Sequence, residues 1–262
     1  MKTDNTKENK NAPLTGKTEG VPPQTSAQDP EEYTLHPIAH IHTDFPKKFG
    51  IPRQSGLVRE LPGRIVFAPK YRNPDYIRGL ADFSHIWVLW AFSENRSKGE
   101  PSATVRPPRL GGNTRVGVFA TRSPFRPNPI GLSALRLDSI EQTEKEGTVL
   151  HVRGADMLSG TPIFDIKPYI PFADSIPDAR GGFADGHRDD SLCVLDPKGA
   201  LEKLPAELAA ALHGILEGDP RPAYHDDPER VYGFAFRSFE VKFRVDGKEL
   251  FLESIEETAS EK

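Results

Sequence analysis

The chain has one cysteine, Cys193, among 262 residues. It can form no intrachain disulfide and no cysteine-built zinc cage, which suits a reducing compartment. No apolar run approaches the roughly 18 residues of a membrane span. The N-terminal stretch lacks the apolar core of a secretory leader, so neither membrane insertion nor a signal peptide is expected. Net charge is small, at −4 with histidine neutral. That excludes a globally basic nucleic-acid coat, so any anion site must be a local patch. No GxGxxG or Walker sequence is present, and no internal repeat is visible. Hydrophobic residues make up 36% of the chain, enough for a real core, in one large domain or two modest ones.

Organisation follows from composition. Residues 1–32 contain four lysines, six acidic residues and few apolar ones. Such a stretch buries too little to offset its ordering entropy and reads as a disordered tail. Order is expected from Tyr33. RIVFA (64–68), HIWVLWAF (85–92), RVGVFAT (115–121), GLSALRLDSIEQ (131–142) and TVLHVRGADM (148–157) read as strands. The apolar run 85–92 suits a strand buried on both faces. NPDYIRGLADF (73–83) reads as one or two helical turns. Strands dominate, with no convincing helix between them. The expected fold is mainly β, an antiparallel or mixed barrel over residues 33–173. Residues 174–200, rich in Asp, Gly and Pro, read as a linker. A small α+β domain follows over 201–257, with a helix at 204–218 and two or three strands around the Asp246-Gly247 hairpin signal.

The chemistry concentrates in one window. From Pro101 to Leu137 there is no Asp, Glu or Lys, but there are six arginines: Arg106, Arg109, Arg115, Arg122, Arg126 and Arg136. Arginine presents a planar fork to phosphates, carboxylates and bases. ATRSPFRPNPIGLS (120–133) adds three prolines, which fix φ and lower the entropic cost of holding those arginines in place. Asn128 sits between two of the prolines, where its amide can be presented. The window reads as an anion-binding site; the plainer alternative is a surface loop whose prolines block edge pairing. His40 and His42 would share a face in a strand and, with His36, make a candidate metal group for a hydrolase. No complementary His or Cys pair occurs elsewhere, so no metal is expected. His85 opens an apolar strand and suits a buried or a site histidine equally. Asp156, Asp165 and Lys167 lie close in sequence, as an acid/base group or as a surface ion pair.

KKFGIPRQSGLV, LADFSHIWVLWAF, TVRPPRLGGNTRVGVFATRSPFRPNPIGLS and SGTPIFDIKPYIPFAD occur in this order. Together they resemble the bacterial TsaA-like TrmO family of tRNA methyltransferases, which act on N6 of threonylcarbamoyladenosine at position 37. DPRPAY (219–224) with the strands after it resembles the C-terminal domain of the longer members. The resemblance spans about residues 36–255. It implies a TsaA-like β-barrel that binds S-adenosylmethionine without a doubly wound sheet, and a cytoplasmic homodimer. The implied partner is a tRNA anticodon loop carrying that nucleoside, with neither DNA nor membrane. The cofactor would be held by Pro52, Arg53 and Gln54; by His85 and Ile86; by Arg122 with Leu132; and by Asp156, Met157, Leu158 and Ser159. The family usually has Asp-Gly-Thr-Pro where this chain has Ser159-Gly160-Thr161-Pro162. That loss of a carboxylate is the one feature favouring a non-catalytic cofactor- or RNA-binding module of the same fold.

The reaction chemistry and the RNA suggest four further roles. The acceptor N6 is a ureido nitrogen with a delocalised lone pair, and the nucleoside carries a threonyl carboxylate. Arg126 or Lys167 would clamp that carboxylate, and Asn128 would orient the ureido or adenine edge. Arg106 and Arg109 would track the RNA backbone. Arg221 and Tyr224 would bring the second domain to the same RNA, unless DPRPAY is only a rigid turn.

Overall fold

Alternating burial closes the N-terminal strands into a barrel. The computed structural model describes residues 33–94, 100–107, 114–187, 190–221 and 227–258. The N-terminal tail, residues 1–32, lies outside them. The barrel strands are β1 (Ala39–Thr43), β2 (Pro62–Phe67), β3 (His85–Ala91), β6 (Ile130–Thr143), β7 (Gly147–Arg153) and β8 (Thr161–Pro168). They close in the order β1-β2-β7-β6-β3-β8, and every neighbouring pair is antiparallel. Ala39, Ile41, Ile65, Ile86, Val88 and Leu150 are fully buried inside. On β1 the intervening His40 and His42 point outward, as the two-residue period of a strand requires. Closure leaves the sheet no open edge.

Two strand expectations change. The run 85–92 is not buried on both faces. Ile86, Val88 and Trp90 face the core, while His85, Trp87, Leu89 and Ala91 are more accessible on the outer side. RVGVFAT is a strand for only two residues, β5 (Val116–Gly117), paired with β4 (Thr104–Val105). It then tightens into a 3-10 turn at Val118–Ala120. The Thr121 hydroxyl donates to the Val118 carbonyl at 2.8 Å, giving the chain a local partner in place of a ladder. NPDYIRGLADF forms two short 3-10 turns, and Asn73 caps the first by accepting from the Asp75 amide.

The C-terminal sheet has four strands, in the order β10-β11-β12-β9. They are β9 (Cys193–Leu195), β10 (Tyr232–Phe236), β11 (Phe239–Asp246) and β12 (Glu249–Glu257). β9 lies inside the stretch 174–200 read as a linker, yet it pairs in parallel with β12. Three residues without a clear alternation carry too little signal to be seen in advance. The stretch 171–174 forms the single helical turn α1 (Pro171–Asp174), and the longer helix is α2 (Ala206–Glu217). Helix α2 buries Leu208, Ala211, Leu212, Ile215 and Leu216, the face its spacing predicts. No helix of the described residues is long and apolar enough to cross a membrane.

Barrel and C-terminal sheet lie in one compact unit that begins at Leu35. The chain leaving β1 crosses between them. Phe45, Phe49 and Ile51 pack into the C-terminal core. Gly50 sits at φ 94°, and a Cβ there would lie 2.5 Å from the Phe234 ring, so only glycine fits this approach. Arg237 pairs with Asp44 at 2.9 Å across the same seam. The seam therefore fixes where residues 52–55 emerge.

Candidate active site

A cleft of about 1930 Å³ opens where the end of β3 and the start of β6 meet residues 156–158, the loop 52–55 and the arginine-rich window. Two of its lining residues, Trp90 and Asp156, are joined through Ser133 by a buried hydrogen-bonded chain. Trp90 Nε1 donates to Ser133 Oγ at 3.0 Å, and Ser133 Oγ donates to Asp156 Oδ1 at 2.7 Å. Ser133 is 1% exposed, so its hydroxyl has no solvent alternative. Burial pushes the Asp156 carboxyl up to about 6, although Ser133, the backbone amides of Asp156 and Ser55, and the charge of Arg122 pull it back. Asp156 is thus ionised at neutral pH and half-protonated near pH 6.

The sign of the linkage is set by that upward shift. The native state holds the Asp156 proton more tightly than the unfolded chain, so this group stabilises at low pH. The contribution is lost as pH rises from about 4 through about 6. Comparing wild type with Asp156→Asn by chemical denaturation, the wild type is expected to gain about 2 kcal/mol relative to the variant between about pH 7.5 and about pH 4.5. A difference that does not move with pH would contradict the assignment.

Gly131 makes the chain possible. A Cβ at Gly131 would fall 2.2 Å from the Trp90 indole, and Trp90 is itself 7% exposed and tied to Ser133 through Nε1. Gly131→Ala is expected to cost about 1–3 kcal/mol through overpacking, read as a lowered thermal midpoint. A midpoint equal to wild type would show that Trp90 has slack that the packing does not reveal.

The proline-rich loop holds itself rigid. Thr121 Oγ1 accepts from the Ser123 amide at 3.2 Å, and Ser123 Oγ accepts from the Phe125 amide at 3.2 Å. The Arg126 amide donates to the Pro124 carbonyl at 3.0 Å, and the Ile130 amide to the Asn128 carbonyl at 2.7 Å. Arg126 also sends one guanidinium N–H to the Thr121 carbonyl at 3.1 Å. Arg122 donates to Gln54 Oε1, joining this loop to the loop 52–55. Arg53 reaches the Asp219 carbonyl at 3.4 Å, which ties the same loop to the C-terminal domain.

Pro52, Arg53, Gln54, Arg122, Leu132, Asp156, Met157 and Leu158 therefore line one cleft, and so do Arg106, Arg126 and Asn128. Met157 is only 1% exposed, and its carbonyl accepts from the Thr43 hydroxyl at 2.8 Å. Five expected residues fall outside the lining. Ile86 points into the barrel core. His85 stands on the outer face of β3, bonded to the Ser84 hydroxyl at 2.9 Å. Lys167 forms an exposed 2.8 Å ion pair with Asp165, the surface pair that was the plainer alternative. Ser159 accepts the Thr43 amide at 3.3 Å, and its own amide bonds the Phe45 carbonyl at 2.9 Å. Ser159 thus caps the end of β1. Arg221 is also outside the cleft: it grips the Asp219 carboxylate with two N–H groups at 2.9 and 3.0 Å and is mostly buried. The rest of DPRPAY, residues 222–224, lies outside the described residues. Arg109 and Tyr224 lie outside the described residues. His40 and His42 share the outer face of β1, and no group of three or more His, Cys, Asp or Glu arranged to hold a metal occurs among the described residues.

Sequence reasoning missed Trp90, Ser133, Phe119 and Phe125. The first two sit on strands where the period marks them only as inward-facing. The two phenylalanines were visible inside the acid-free window, but exposure has no sequence signature there.

Two family models match the chain. One, described as the tRNA-methyltransferase O N-terminal domain, covers residues 40–175, and the TrmO C-terminal domain covers residues 197–258. A tRNA (adenine(37)-N6)-methyltransferase of Escherichia coli strain K12 is 39% identical over 221 residues, spanning 81% of this chain and 93% of that protein. A putative S-adenosylmethionine-dependent methyltransferase of Pseudomonas aeruginosa, RcsF, is 36% identical over 83% of this chain and 95% of its own length. A crystal structure of TrmO from Pseudomonas aeruginosa superposes with a TM-score of 0.70 at 30% identity, covering 87% of this chain and 99% of that one.

Proposed function

Because the chain belongs to the TrmO family, we propose that it is a tRNA (adenine37-N6)-methyltransferase whose acceptor is N6 of threonylcarbamoyladenosine. The cofactor is S-adenosylmethionine, on which its relatives depend. When bound, S-adenosylmethionine supplies an electrophilic methyl group. The observation that carries the reading is the pairing, in one cleft, of a mostly buried carboxylate with an acid-free arginine loop.

The residues fit that cofactor and that acceptor by charge. Asp156 is anionic at neutral pH and suits the ammonium and sulfonium of the cofactor. Arg122 suits its carboxylate, and Pro52 and Leu132 offer apolar surface. The Trp90–Ser133 chain fixes the rotamer of Asp156, so the carboxylate need not reorganise when a ligand arrives. Arg126 keeps N–H groups beyond the one given to Thr121 and clamps the threonyl carboxylate; Asn128 orients the ureido edge. Arg106 supports the RNA backbone at the rim. Much of the rate then comes from positioning, which the hydrogen-bonded loop supplies in advance.

Labelled methyl transfer from S-adenosylmethionine to bulk tRNA, with chelator present, tests the reading. Label in the tRNA is expected. Cofactor binding without label would instead support the non-catalytic module, whose only sequence support, Ser159, sits at the end of β1 rather than in the cleft.

A homodimer in the cytoplasm completes the proposal. Phe172 is 92% exposed and Ile176 66%, leaving an apolar patch beside α1, where Asp174 accepts from Trp87 Nε1. Light scattering is expected to give about twice the 29.0 kDa chain mass, and Phe172→Asp to halve it. A monomeric wild type would remove the dimer from the account.

A further inference from the structure

Two large aromatic rings stand in the open at the rim of the cleft. Phe119 is 77% exposed and Phe125 53%. Neither packs on another ring among the described residues. A single exposed phenylalanine on a surface needs no explanation. These two differ in three ways. Both line the same cleft. Both sit in the acid-free stretch 101–137, with Arg122 between them and Arg126 directly after the second. Both are held on backbone that is locked in place.

The locking is specific. Phe119 is the middle residue of the 3-10 turn Val118–Ala120, whose first residue, Val118, is 3% exposed and anchors it. The Val118 amide donates to the Ala103 carbonyl at 3.0 Å, and the turn closes through the Thr121 amide at 3.1 Å. Phe125 follows Pro124, and its amide is bonded to Ser123 Oγ at 3.2 Å. Each ring is therefore displayed outward from a fixed point. A collapsed loop would hide them, and a floppy one would charge the ligand for ordering them.

We propose that Phe119 and Phe125 are stacking platforms for unpaired RNA bases adjoining the methylated adenine. The inference rests on the tRNA reading above and extends it from phosphate contacts to base contacts. Single-stranded loops present π-faces, and proteins that hold them combine cationic grooves with exposed aromatic rings. Arginines supply the cations here, and no acidic residue interrupts them between 101 and 137. Stacking tolerates any base, so the platforms hold and splay the loop, while the clamp at Arg126 reads the modification.

Binding is measured by fluorescence anisotropy, using a labelled RNA hairpin with a seven-nucleotide loop and no modification. This assay does not depend on turnover, so it separates this inference from the proposed reaction. Phe119→Leu and Phe125→Leu keep apolar bulk but remove the π-face. Each is expected to weaken hairpin binding about five- to hundred-fold. Phe119→Trp and Phe125→Trp are expected to restore it. S-adenosylmethionine affinity, measured by calorimetry, should stay at the wild-type value in all four variants. A hairpin with abasic loop positions should bind wild type and the leucine variants alike.

Three outcomes would overturn the inference. Leucine variants that bind the hairpin as wild type does would show that the rings do not touch RNA. A matching loss of cofactor affinity would assign the rings to the cofactor. A change of oligomeric mass in the leucine variants would assign them to a second copy of the chain. Failure of methyl transfer with hairpin binding intact would count against the reaction and leave the platforms standing.

Discussion

Arg126→Ala is expected to lower kcat/KM on tRNA carrying threonylcarbamoyladenosine by about 10²–10³-fold, and to change the rate on unmodified tRNA far less. The reason is the partner left behind. A threonyl carboxylate brought into a partly closed cleft without its guanidinium keeps a desolvated charge, and such truncations cost several kcal/mol. Unmodified adenosine brings no such charge. Discrimination between the two tRNAs should therefore collapse. Arg126 also holds the Thr121 carbonyl, so loop damage must be separated from lost recognition. Arg126→Lys keeps the charge and loses the fork, and should recover only part of the rate. If Arg126→Ala retains full discrimination, the clamp lies elsewhere. Lys167 would be the weaker heir, since it is exposed and paired with Asp165.

Arg122→Ala is expected to weaken S-adenosylmethionine binding about ten- to hundred-fold in calorimetry. Arg122 contributes in three ways. It offers a charge at the cleft wall, and it holds Gln54, which keeps the loop 52–55 against the proline-rich loop. It also stabilises the ionised form of Asp156, so its removal should move that carboxyl further upward. In Arg122→Ala the pH below which cofactor binding fades should thus rise above the wild-type value near 6. Unchanged affinity and an unchanged pH profile would show that the charge of Arg122 serves the RNA alone.

How much of this was legible in the sequence depends on where information is stored. The barrel was, because 64–67 alternates clearly, 131–142 alternates in part, up to the irregularity after Leu137, and no long helix intervenes. Helix α2 was, because its buried residues recur at helical spacing. β9 was hidden: three residues at the edge of a sheet are stabilised by β12, far along the chain. The break of 115–121 into a turn was hidden as well, since it depends on the side-chain bond of Thr121 and on the Ala103 carbonyl. In the site, composition exposed the arginine loop and spacing singled out Asp156, while resemblance supplied the loop 52–54 and a cofactor-binding role for Asp156. Neither pointed to Trp90 or Ser133, whose contribution is a pair of hydrogen bonds closed only by folding. Resemblance also carried over His85, Ile86 and Ser159, which this chain places outside the cleft lining.

The central claim is that the cleft between the loop 52–55 and the proline-rich loop transfers a methyl group to a nucleoside already carrying threonylcarbamoyl. Nucleoside mass spectrometry tests it most directly. Purified protein is incubated with S-adenosylmethionine and tRNA bearing threonylcarbamoyladenosine, beside tRNA lacking that modification. The account predicts one added methyl on the modified nucleoside and none on plain adenosine. Methylation of plain adenosine to the same extent, or of neither tRNA while the cofactor binds, would contradict it.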